Sequence, residues 1–171
     1  MFDPCEDALA SFADARDNVE RMRRDVAIRS GIIRECTGIA YELLFRQKAP
    51  SLFGEWLRKP RAIEIDEVPG FDELETAGGY TSQELRRLRA LDLVVAGTDR
   101  SASPPGPMFL AVEISRTIDL EDIDRAAERA QLLARGGAKT RAAVAGKVIT
   151  ARARVRADET ATLIRLLEDV A

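Results

Sequence analysis

The chemistry in this chain would start from two carboxylates set in strand-like apolar runs. Glu113 lies within Phe109-Leu110-Ala111-Val112-Glu113-Ile114-Ser115, and Asp92 opens the preceding run, Leu91-Asp92-Leu93-Val94-Val95. An acid inside a buried strand is costly unless it is paired or holds a cation, so these positions ask for a partner. Alternation puts Glu113 and Ser115 on one face and Val112 and Ile114 on the other, and Asp92 could join the polar face from a neighbouring strand. Each residue also has a structural reading: an ion pair with Arg125 or Arg129 for Glu113, a helix cap or strand start for Asp92. Ser115 reads as a structural or water-positioning group, since no histidine exists to serve as its base.

Other chemistries are excluded by composition. The chain has no histidine, which removes Ser-His-Asp and Cys-His mechanisms and histidine-ligated zinc. Cys5 and Cys36 lie far apart without a second ligand at metal spacing, so neither a disulfide scaffold nor structural zinc is expected. Gly78-Gly79 lacks the Lys-Ser or Lys-Thr of a nucleotide loop, and Gly136-Gly137 reads as a helix stop.

The net charge of -3 over 171 residues conceals an asymmetry. Between Arg129 and Ala157 every charged residue is basic, including Arg129, Arg135, Lys139, Arg141, Lys147, Arg152 and Arg154. That run is either a solvated helix face or a surface that attracts phosphate.

The elements that must position these groups follow from periodicity and punctuation. From Pro4 to Arg34 the pattern is helical, with Phe12, Val19, Val26 and Ile33 in heptad register and Ala15 and Met22 beside them. This seam could zip two chains together or lie against its own domain. A second helix, starting at Ser30 or Gly38 and ending near Arg46, carries Glu42. A turn and short helix precede Pro60, and an edge strand spans 61–68. Thr81 or Ser82 caps a helix with Glu84 in its first turn. The Ser/Pro/Gly-rich stretch 101–107 joins the Asp92 and Glu113 strands as a hairpin. Asp119 starts a helix that runs to about Arg135, a strand over 142–149 follows, and the tail from Asp158 reads as an amphipathic helix with Leu163, Leu166 and Leu167 on one side.

Asp92, Glu113-x-Ser115, the helix segment Gly38-Ile39-Ala40-Tyr41-Glu42 and the helix start Thr117–Ala126 together resemble the PD-(D/E)XK superfamily, and in particular small bacterial members with an N-terminal coiled coil. The resemblance covers about 30–149 and rests mainly on the order of its short motifs. It implies an α/β, restriction-endonuclease-like mixed sheet flanked by helices, with residues 1–29 as the N-terminal helix and 30–171 as the nuclease-like domain. By position, Asp92 and Glu113 resemble ligands of Mg²⁺ (or Mn²⁺), and Glu42 resembles the helix glutamate that some members add. Ser115 stands where the family has its lysine, whose charge a hydroxyl cannot replace. Lys147 on the next strand is the candidate for a relocated lysine. The resemblance thus implies a metal-dependent DNA endonuclease or exonuclease with a degenerate motif. The alternative is a non-catalytic nucleic-acid- or protein-binding module that forms a homo-oligomer through its N-terminal helix. In either case Arg129, Arg135, Lys139, Arg141, Arg152 and Arg154 are the candidate DNA contacts. No apolar run is long enough for a membrane, and Met1-Phe2-Asp3-Pro4 does not open a signal peptide, so a cytoplasmic location is expected.

Overall fold

The computed structural model describes residues 4–167, with side chains from Val19 onward except those at 33–35 and 37. Helix α1 is continuous over Pro4–Gln47, where the sequence suggests two helices parted near Gly31 and Gly38. An interior glycine costs about 1 kcal/mol against alanine, too little to break a helix that contains no internal proline. By contacts the chain divides into a unit Met1–Ile39 and a unit Ala40–Ala171.

The first unit is the helix itself. Val19, Met22 and Val26 of the expected seam are exposed, as are Ile28, Ile32 and Ile39. Phe12 and Ile33 lie outside the described side chains.

The second unit is a mixed five-stranded sheet in the order β1 (Leu57–Ile63), β2 (Leu93–Asp99), β3 (Pro107–Ile118), β4 (Thr140–Ile149), β5 (Leu163–Leu166). The first three strands form an antiparallel meander, and β4 and β5 add in parallel. A parallel neighbour needs a crossover, and helix α5 (Leu120–Ala134) supplies it between β3 and β4, while α6 (Ala151–Thr160) does so between β4 and β5. Short helices α2 (Ala49–Leu52), α3 (Phe71–Thr76) and α4 (Ser82–Arg89) complete the unit. The expected class, an α/β mixed sheet flanked by helices, is what the chain adopts.

Alternation along the strands separates two cores. Val94, Ala111 and Val144 pack towards α5 and α6 with Ile123, Ala126 and Ala153. Leu93, Val95, Leu110, Val112, Ala143 and Ala145 pack on the other face with Phe45 and Phe53.

Two expectations are corrected here. Pro60 does not end a helix; it sits inside edge strand β1, where the register shifts between Arg58 and Arg61 and an absent N–H is tolerated. The tail is not an amphipathic helix. Chain reversal at Ala161, with φ 52°, ends α6, and 163–166 then pair with β4. Leu163 and Leu167 pack on one core while Ile164 and Leu166 pack on the other, a period of two that favours the strand. Arg165 locks the strand in place, its guanidinium 4.8 Å from the Trp56 ring centroid and 2.6 Å from Glu55 Oε2. Among the described residues no helix is long and apolar enough to cross a membrane.

Candidate active site

Register brings the two strand acids together. Leu93 pairs with Val112 in the antiparallel β2–β3 ladder, which sets Asp92, one residue before β2, across from Glu113. Asp92 Oδ2 accepts the Ile114 backbone N–H at 2.7 Å, so the acid closes the ladder with its side chain. Glu113 is 3% exposed and faces α5, continuing the side of β3 that carries Phe109 and Ala111.

The partners of Glu113 come from the crossover helix. Asp119 caps α5, accepting the Glu121 and Asp122 N–H groups at 3.0 and 3.2 Å, and Asp122 returns the bond to Asp119 N at 2.9 Å. This reciprocal cap fixes where the helix starts and therefore which side chains turn inwards. Asp122, Arg125 and Arg129 follow at helical spacing on the buried side. Arg125 Nε donates to Glu113 Oε2 at 3.1 Å and its Nη2 bonds Asp122. Arg129 Nη1 bonds Glu113 Oε1 and donates to the Ala90 carbonyl at 2.8 Å.

Both oxygens of Glu113 are thus engaged by guanidinium groups, and Arg129 is itself 8% exposed. Burial pushes the Glu113 carboxyl above its ordinary range, the Asp92 charge adds to this, and Arg129 and Arg125 pull it back. Asp92 is raised mainly by burial as well, against the Ile114 N–H and the same two arginines. For Arg125 burial works against the charge, but Glu113 and Asp122 outweigh it and raise the guanidinium above its usual value. Glu42, on the exposed side of α1, is raised by burial and then by the Asp92 charge, which puts it in the electrostatic reach of the acids.

Of the remaining candidates, Ser115 donates its Oγ–H to the Thr117 carbonyl at 3.0 Å. Gly146, opposite Ser115, allows the two strands to approach; a Cβ there would lie 1.9 Å from Ser115 O. Ser115 pairs with Gly146 and Thr117 with Val148, so Lys147 alternates to the face opposite Glu113, the face of Ala143 and Ala145.

A divalent magnesium ion needs several oxygen ligands with lone pairs directed at it. Here Glu113 gives both oxygens to arginine, Asp92 gives one to a backbone amide, and among the described residues no group of three metal-ligating side chains converges. The arrangement present does not fit such an ion.

The basic run is likewise dispersed. Arg129 is internal. Arg135 pairs with Glu84 at 2.7 Å, Lys139 with the buried Asp99 at 2.6 Å, and Arg141 reaches the Ala161 carbonyl at 3.4 Å. Arg152 and Arg154 are exposed on α6. The sequence offered Arg125 or Arg129 as the partner of Glu113, and the helix uses both, four residues apart on the side that also turns Ile123, Ala126 and Ala130 inwards.

No protein-family model and no curated protein matches the chain. Among solved structures it is similar to a repair endonuclease from Pyrococcus abyssi, at 16% identity and TM-score 0.46 over 77% of this chain and 46% of that one. It is also similar to EndoMS in a complex with double-stranded DNA, at 14% identity and TM-score 0.45 over 79% of this chain and 45% of the other. The chain spans less than half the length of each of these endonucleases.

Proposed function

We propose that the α/β unit is a non-hydrolytic binding module for DNA, built on a nuclease-like sheet in which two arginines, Arg129 buried and Arg125 part exposed, stand where a divalent cation would neutralise the strand acids. The observation that carries this reading is the engagement of both Glu113 oxygens by Arg125 and Arg129. Position 115 holds a serine where the resemblance expects a lysine, strand register puts Lys147 on the other face, and the two cations beside Glu113, Arg125 and Arg129, are spent on its carboxylate oxygens.

The surface offered to phosphate is the strand-end edge. Thr150 N donates to Ile118 O at 3.0 Å, which joins the end of β3 to the start of α6. Exposed Arg116 lies two residues before that junction and exposed Arg152 two residues after it. The first turn of α6 has no acid of its own, so Arg152 sits against the positive end of the helix dipole, with Asp119 and Glu121 of the α5 start lining the same surface.

Binding of duplex and single-stranded oligonucleotides across a salt series, with parallel cleavage assays in Mg²⁺ and Mn²⁺, tests the proposal. Binding should weaken steeply with salt, and Arg152→Glu with Arg154→Glu should reduce the log–log salt slope by roughly two. Neither wild type nor Ser115→Lys should cleave. Cleavage that depends on the metal and disappears in Glu113→Ala would restore the nuclease reading. Affinity indifferent to salt and to both reversals would remove DNA as the ligand.

A further inference from the structure

Val19, Met22 and Val26, the described positions of the apolar seam on helix α1, are exposed, and the charges are sorted along the N-terminal sequence. Residues 1–20 hold six acids, Asp3, Glu6, Asp7, Asp14, Asp17 and Glu20, against one base, Arg16. Residues 21–34 reverse this, with Arg21, Arg23, Arg24, Arg29 and Arg34 against the single acid Asp25. A long helix without a core of its own is stabilised by packing its apolar stripe, not by propensity alone. We infer that this stripe is covered by the same helix of a second copy, running antiparallel and centred between Glu20 and Arg21.

Charge complementarity selects both the occupant and its direction. A parallel, in-register pair sets acidic half on acidic half, basic half on basic half, and Arg29 against Arg29 in the seam. The antiparallel pair sets each acidic half along a basic half, with the helix dipoles opposed as well. Of the exceptions, Arg16 of one copy stands at the height of Asp25 of the other, while Glu35, just beyond the basic stretch, stands at the height of Glu6 on the outer side of the pair.

The heptad positions give the same centre independently. With the pair centred there, Val19 forms a layer with Met22 of the second copy, Ala15 with Val26, Phe12 with Arg29, and Ala8 with Ile33. Every a position then meets a d position, and Arg29 stands beside an aromatic ring instead of another arginine. One pair at flanking positions is unfavourable, Arg16 with Arg23, and Glu20 is within a turn of both. The next layer outwards brings Cys5 to Cys36 of the second copy.

That layer provides the test. Cys5 and Cys36 are thirty-one residue steps apart along the helix, about 46 Å at 1.5 Å per residue, so the two cannot bridge within one helix. Cys36 is exposed. The full chain, mixed from ¹⁴N- and ¹⁵N-labelled preparations, is oxidised mildly and its disulfide peptides are mapped by mass spectrometry. A Cys5–Cys36 link between a light and a heavy copy is expected, and it should disappear in Cys5→Ser and in Cys36→Ser. Combining Arg21→Glu, Arg23→Glu and Arg24→Glu should raise the dimer dissociation constant about tenfold or more by analytical ultracentrifugation, since attraction becomes repulsion along both halves. Cys36–Cys36 or Cys5–Cys5 links, a monomeric wild-type mass, or a dimer unaffected by the three reversals would each overturn the proposal.

Discussion

Glu113 shows how one residue type can serve opposite ends. A strand glutamate held by a metal is a ligand, whereas the same glutamate held by two arginines is a structural ion, and the partners decide which. Glu113 and Arg129 are both buried, so removing Arg129 strips Glu113 Oε1 of its partner and leaves only the part-exposed Arg125 on the other oxygen, while removing Glu113 leaves the buried Arg129 charge facing no carboxylate of its own. Arg129→Met should therefore lower unfolding free energy by about 3–5 kcal/mol, measured by urea denaturation, while Glu113→Leu combined with Arg129→Leu should return to within about 1 kcal/mol of wild type. A double variant as unstable as the single one would mean that the pair is not the unit of stability. The type and position of Glu113 were legible in the sequence, as was the option of an arginine partner. That the option was taken depended on the rotation of α5, set by its Asp119 cap, and rotation about a helix axis is not written in strand motifs.

At the scale of elements, what was readable was whatever carried its own punctuation. The Thr81 cap is an example: its Oγ1 accepts Glu84 N at 3.2 Å while Glu84 Oε2 accepts Thr81 N at 2.8 Å. The Thr81 amide, Arg135 and the Thr81 hydroxyl hold the Glu84 carboxyl down at about 2. Since the folded value lies below the ordinary 4.5, this contribution to stability is complete above that pH and fades as pH falls towards 2. Glu84→Gln should flatten the acid limb of a thermal-stability profile in that window, and an unchanged limb would show that other carboxylates dominate it. Asp92 and Glu113, raised in the folded state, act in the opposite sense: their protonation favours the fold as pH falls. The tail misled because 163–167 is short and nearly all apolar, and such a run matches strand and helix alike until a neighbour is known. The neighbour is β4, already buried on both faces.

At the scale of the whole molecule, the two units stabilise themselves differently. The α/β unit closes around two cores, to which no described side chain before Tyr41 contributes, so the helicity of the segment Pro4–Ile39 should depend on protein concentration. Dilution should lower the midpoint of a melting phase seen by circular dichroism at 222 nm and leave the main transition in place. A midpoint independent of concentration would mean that the helix is covered within its own chain. The edge of the sheet bears on the same question. Outer strand β1 carries Pro60, which has no N–H to offer, beside Lys59 in the left-handed region at φ 53° and exposed Arg58 and Arg61. A strand arriving from another molecule would meet a missing donor, a backbone kink and three cations in four residues. That border of the sheet is closed to growth by strand addition, so copies of this chain can meet there only side chain to side chain, and a crowded solution of it is protected from ribbon-like polymers on that side.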